Sequence, residues 1–110
     1  MVHLARNCPD CNLAGVDLKK ARLVEANLAG ADLSGADLSG ANLRRANLTG
    51  ANLSGAKLTT SNLSGAILVR SNLTNADLSG CNLIKANLTG ATTDGAIFTG
   101  AHMESIEGYK

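Results

Sequence analysis

The chain has 110 residues, ten basic and nine acidic, with a formal net charge of +1 and an aromatic content of 2%. That length fits one domain, and the near-neutral charge gives no pull towards nucleic acid or an anionic membrane surface. No apolar run reaches the eighteen or so residues of a membrane-spanning helix, and residues 1–10 lack the apolar centre of a signal peptide. Cytoplasmic location is therefore expected, although a processed periplasmic or thylakoid-lumen form would read the same.

Residues 1–10 (Met-Val-His-Leu-Ala-Arg-Asn-Cys-Pro-Asp) read as an N-terminal cap. Residues 1–7 suit the last turn of a capping helix, with Leu4 packing on the first repeat. Cys8-Pro9-Asp10-Cys11 is the one local motif with chemistry, since its spacing matches a redox Cys-x-x-Cys or half a zinc site. No second cysteine pair and no β-α-β pattern accompany it. A structural role, as a disulfide or as buried reduced cysteines, is expected over redox or metal function.

From Leu13 to Leu88 sixteen leucines stand five residues apart, each in a pentad such as Ala46-Asn47-Leu48-Thr49-Gly50. In an α-helix five steps of about 100° would scatter the leucines round the cylinder. In a flat strand an odd period would send them to alternate faces. Each leucine meets one environment only if the chain turns once per pentad, so that pentads form the short sides of a stacked coil. The residue two before each leucine is small and points inward beside it; Cys11, Ser61, Ser71 and Cys81 stand there among the alanines. Asn or Asp usually precedes the leucine and faces outward. Glycine fills the last pentad position eleven times, as suits a turn residue with positive φ. Lys20, Glu25, Arg45, Thr60, Arg70 and Lys85 stand there as well, and a second turn geometry is expected at several of these.

This Ala-Asn/Asp-Leu-X-X consensus resembles the pentapeptide-repeat protein family over residues 11–105. The resemblance implies an all-β fold: a right-handed, four-sided (quadrilateral) β-helix solenoid with about 20 residues per coil. Nineteen pentads then make a little under five coils, followed by a tail, residues 106–110. Stacking by twenty sets Lys57 between Asp37 and Asp77, whereas stacking by fifteen sets it against Asn42 and Asn72. The charges favour four sides. Cyanobacterial members of the family often open with a similar Cys-Pro-x-Cys segment, which supports the cap reading of Cys8 and Cys11.

The side centred on Leu13, Leu33, Leu53 and Leu73 carries Asn12, Asp32, Asn52 and Asn72, a polar ladder expected to hydrogen-bond along the axis and to serve as structural support of the turns. The side centred on Leu23, Leu43, Leu63 and Leu83 is different. It carries Arg22, Arg44, Arg45 and Lys85, with Val24 and Ile84 among them; Ile67, Val69 and Arg70 follow one corner on. Apolar groups rimmed by charge make this the candidate partner surface. At the far end Thr93, Phe98 and Met103 replace the central leucine. A solvated tail is expected to cover that edge, giving a monomer; the alternative is a weak end-to-end dimer through Phe98 and Met103.

His3 and His102 lie near the ends, the carboxylates are spread over a convex rod, and each glycine has a turn to explain it. No catalytic, cofactor-binding or metal-ligating residue emerges, and no enzyme is expected. The reading is a structural or protein-interaction scaffold for an unidentified protein partner. Some members of the resembled family imitate DNA and bind topoisomerases such as gyrase. That alternative needs a long acidic rod, and the short chain with its +1 charge argues against it.

Overall fold

The computed structural model describes residues 6–109. Its architecture follows from where the five backbone N–H groups of a pentad go. In the pentad of Leu33, the leucine N–H bonds the Asn52 carbonyl one coil on at 2.7 Å, and Gly35 bonds Ser54 at 2.9 Å. Asp32 bonds back to Cys11 at 2.8 Å, and Ala36 closes the corner on Leu33 itself at 3.0 Å. The fifth donor, Ser34 N–H, is met by the Asp32 carboxylate at 3.0 Å. A buried solenoid wall must pair its backbone groups, and this pattern pairs all five.

Among the described residues seventeen parallel bridges result, each joining a residue to the one twenty positions on, from Asn7 with Asn27 to Asn87 with Glu107. Twenty residues in five-residue sides make a four-sided coil, wound right-handed. Lys57 bridges to both Asp37 and Asp77, as the charge register requires. The two short principal axes, 21 and 20 Å, give a nearly square section. We call the sides of Leu13, Leu18, Leu23 and Leu28 the first to fourth; each side's later members follow at intervals of twenty.

Three expectations meet the structure at the ends, the asparagines and the corners. Among the described residues the ladder runs from Asn7 to Glu107, so backbone pairing reaches into the segments expected as cap and tail. Backbone pairing continues there because it does not depend on a central leucine: Asn27 N–H reaches Arg6 and Cys8 N–H reaches Asn27. Of the residues 1–7 expected to form a capping helix, 1–5 with Leu4 lie outside the described part, and Asn7 is paired with Asn27 in the ladder.

Secondly, the side chains of Asn12, Asp32, Asn52 and Asn72 support the turns rather than bond along the axis. Asn12, Asp32, Asn52 and Asn72 each accept from the N–H two residues on, at 3.0–3.3 Å. That N–H is the one donor the coil leaves unpaired, and a side chain two residues away reaches it as an Asx turn.

Thirdly, the corners share one turn geometry. Every corner residue from Asp10 to Ser105 has positive φ, 56–62° without glycine and 65–72° with it. Positive φ at the third turn residue alone is the type II arrangement. Lys20 and Gly40 make the same bonds to the next coil, so stacking imposes the conformation whichever residue is present. A non-glycine corner then costs roughly 1–2 kcal/mol.

Inside, the leucines from Leu18 to Leu88 are no more than 3% exposed, and the small residues beside them are buried as well from Ala21 to Ala86. Cys81 takes an alanine's place, its thiol donating to the Leu58 carbonyl at 2.6 Å. Burial pushes that thiol above its ordinary value, with Ser61 opposing. Ser71 Oγ is buried without a partner. At the C-terminal end Phe98, Met103 and Ile106 are half-buried against the core, and the Tyr109 ring packs on Phe98 with centroids 5.1 Å apart.

A candidate protein-interaction corner

The third side ends at a corner column of Glu25, Arg45, Gly65, Lys85 and Ser105, beside a column of Val24, Arg44, Ser64, Ile84 and Glu104. Gly65 is the one glycine of its column. Its missing side chain and the short Ser64 leave a gap between longer neighbours one coil below and one above. The gap is a surface hollow of about 200 Å³ lined by Arg44, Arg45, Ser64, Gly65, Ile84 and Lys85. A methyl placed on Gly65 would meet Arg45 Cγ at 3.3 Å, so the arginine stem lies along this floor.

The charges around the hollow are unevenly matched. Arg45 Nη1 stands 3.8 Å from the Glu25 carboxylate, with both side chains well exposed, a pair that solvent largely screens. Arg44 and Lys85 have no ion pair among the described residues. No Asp or Glu occurs between Asp37 and Asp77, whereas Arg44, Arg45, Lys57 and Arg70 do. The +1 net charge thus conceals a middle section that is wholly basic. Ser64 adds a hydroxyl: Ser34, Thr49, Thr74, Ser79 and Thr89 each donate theirs to their own Asx side chain. In the Ser64 pentad only the backbone N–H does so.

Of the surface residues expected from sequence, the hollow brings together Arg44, Arg45, Ile84 and Lys85. Ile67 stands just round the corner from Gly65 and is 40% exposed. Arg22 and Val24 lie one coil below; Arg22 is exposed, and Val24, like Ile84, is half-buried rather than exposed. Arg6 Nη2 donates to the Val24 carbonyl at 3.2 Å. Val69 is half-buried, and Arg70 sits at the far end of the fourth side with its stem over Gly90, so neither enters the hollow. Sequence reasoning misses Ser64 and Gly65, although sorting the corner residues by twenty isolates Gly65 directly.

Elsewhere the reactive groups are tied down. Cys8 and Cys11 are joined by a disulfide across the first corner, with Cα atoms 5.4 Å apart. Among the described residues no group of three or more His, Cys, Asp or Glu could hold a metal ion. His102 is exposed on the last coil, where it bridges to Asn82. The Ser34 hydroxyl and amide hold the Asp32 carboxyl below the ordinary carboxylate range, and Ser79 does the same for Asp77. No helix among the described residues is long and apolar enough to cross a membrane.

A square solenoid with a leucine at the centre of sixteen successive sides and a turn at every fifth residue defines a repeat protein whose contacts are made by its outward positions. The chain belongs to the pentapeptide-repeat family: the family description "Pentapeptide repeats" matches residues 11–50, 26–65 and 66–104, in eight copies. A comparison with curated proteins finds no match. Among solved structures, the chain is similar to a pentapeptide repeat protein (Rfr23) from the cyanobacterium Cyanothece 51142. That similarity is 36% identity and a TM-score of 0.82, covering 99% of this chain and 91% of that one. It is similar also to a pentapeptide repeat protein of the Arabidopsis thaliana thylakoid lumen, at 32% identity and a TM-score of 0.72, covering 83% and 68%. The plasmid-mediated fluoroquinolone resistance protein QnrB1 is more distant, at 21% identity and a TM-score of 0.40 over 91% of this chain and 61% of that one. At that distance it carries no functional argument.

Proposed function

We propose that the rod is a non-enzymatic scaffold that holds a protein partner at the corner between its third and fourth sides. The observation that carries this reading is the meeting of Arg44, Arg45, Ile84 and Lys85 round the Gly65 hollow, with exposed Ile67 beside it. Arg22 and Val24 extend the surface by one coil, and Val69 and Arg70 form its outer margin. Apolar groups inside a basic rim give a partner both desolvated contact and orientation. Catalysis is disfavoured because the carboxylates are spread over a convex rod and Asp32 and Asp77 are committed to Asx turns. The gyrase-binding alternative is disfavoured by the basic middle section, since imitation of a polyanion needs the opposite sign.

The Tyr109 ring on Phe98 supports a monomer over end-to-end pairing through Phe98 and Met103. The Cys8–Cys11 bridge fits an oxidising compartment better than the reducing cytoplasm expected from sequence. Affinity capture with the native chain and with an Arg44→Glu/Ile84→Ser variant tests the scaffold reading. The variant is expected to lose the partners that the native chain retains at equal thermal stability. Full retention would overturn the assignment of this corner.

A further inference from the structure

We infer that the Gly65 hollow is a seat for the carboxylates of an acidic peptide segment. The inference deepens the scaffold reading and rests on it. Its first support is charge: Arg44 and Lys85 flank the hollow without an ion pair among the described residues, and the Glu25 carboxylate reaches only Arg45. Its second is shape, because Gly65 and Ser64 leave depth between the coils of Arg44 and Ile84, about 10 Å apart at the spacing of hydrogen-bonded chains. Carboxylates two residues apart on an extended peptide lie roughly 7 Å apart, within reach of flexible cationic tips on either side.

The third support is donor chemistry. The arginine guanidinium offers a planar fork that suits a carboxylate, and the Ser64 hydroxyl, without a bond to its own Asn62, adds a neutral donor at the floor. The fourth is what surrounds the cations. Ile84 lines the same hollow and Ile67 lies beside it, which matches an apolar side chain next to the acidic ones. A nucleic acid would instead call for aromatic stacking platforms. The chain has one Phe and one Tyr, and Tyr109 is spent on Phe98.

The test uses fluorescence anisotropy with a labelled peptide of the repeat glutamate-glutamate-leucine, a lysine-lysine-leucine peptide as control, and a short single-stranded oligonucleotide. The expected result is salt-sensitive binding of the acidic peptide alone, weakened at least about tenfold by Arg44→Glu/Lys85→Glu. A Lys19→Glu/Lys57→Glu variant makes the same change in net charge on the second side and is expected to bind as the native chain does. Three outcomes would overturn the inference: no binding of the acidic peptide by the native chain, equal weakening in both variants, or tighter binding of the oligonucleotide. If the peptide fails while affinity capture still depends on Arg44 and Ile84, the scaffold stands and the acidic-peptide assignment alone falls.

Discussion

At the residue scale the fold rests on positions that tolerate little and a few that carry strain. Gly55 and Gly108 both have positive φ, yet they differ in surroundings. A methyl added at Gly55 meets nothing within 4 Å, so Gly55→Ala is expected to cost only the corner strain, about 1 kcal/mol in urea denaturation. At Gly108 the same methyl would run into the Thr89 backbone. Gly108→Ala should therefore lift the last side, and the amide of Glu107, bonded to Ala86, should lose its hydrogen-exchange protection. Ser71 offers the converse case. Its buried hydroxyl lacks a partner, and alanine is the commonest residue in its column, so Ser71→Ala is expected to raise stability by about 1 kcal/mol. An unchanged or lower denaturation midpoint would show that the hydroxyl is satisfied in solution.

At the scale of the single side, the unit is one bridge residue, one leucine and one turn, and where the bridge residue is Asn or Asp its side chain closes the backbone account, as Asp32 does for Ser34. This gives a pH dependence with a definite sign. Hydrogen bonds from Ser34 and Ser79 keep the folded carboxyls of Asp32 and Asp77 below the ordinary value of 3.8. Such a group contributes stability that is present above the unfolded pKa and is lost as pH falls through the folded one. Stability should thus be flat above about pH 5 and decline below pH 4. The Asp32→Asn/Asp77→Asn variant keeps the Oδ1 acceptor and removes the titration, so its acid decline should be shallower. A parallel decline would place the acid sensitivity elsewhere. The leucine period makes the side itself legible, because no other backbone puts every fifth residue in one environment. The corners are not legible at Lys20, Arg45 or Arg70: local preference argues against positive φ there, and hydrogen bonds from a coil twenty residues away override it. The turn-supporting role of the Asn side chains is legible, but not the donor they meet, since the sequence does not show which backbone N–H remains unpaired.

At the scale of the whole molecule, twenty-residue stacking turns sequence exceptions into a surface. Arg44, Arg45, Ile84 and Lys85 are recognisable as departures from the pentad, and stacking places them round one hollow. Arg70, equally irregular in sequence, stands at another corner, because one pentad's difference moves a residue to a new face. Gly65 resembles every other turn glycine in sequence; it opens the hollow because its column neighbours Arg45 and Lys85 are long. The scaffold reading requires that partners meet the rod here and not on its other faces. A photo-activated benzophenone side chain placed at Ser64, or at Ser54 on the opposite side, tests that requirement. Both positions follow a leucine and are half-buried, so the probes differ only in the face they report. A captured partner is expected to cross-link at Ser64 and not at Ser54; equal cross-linking, or cross-linking at Ser54 alone, would contradict the reading.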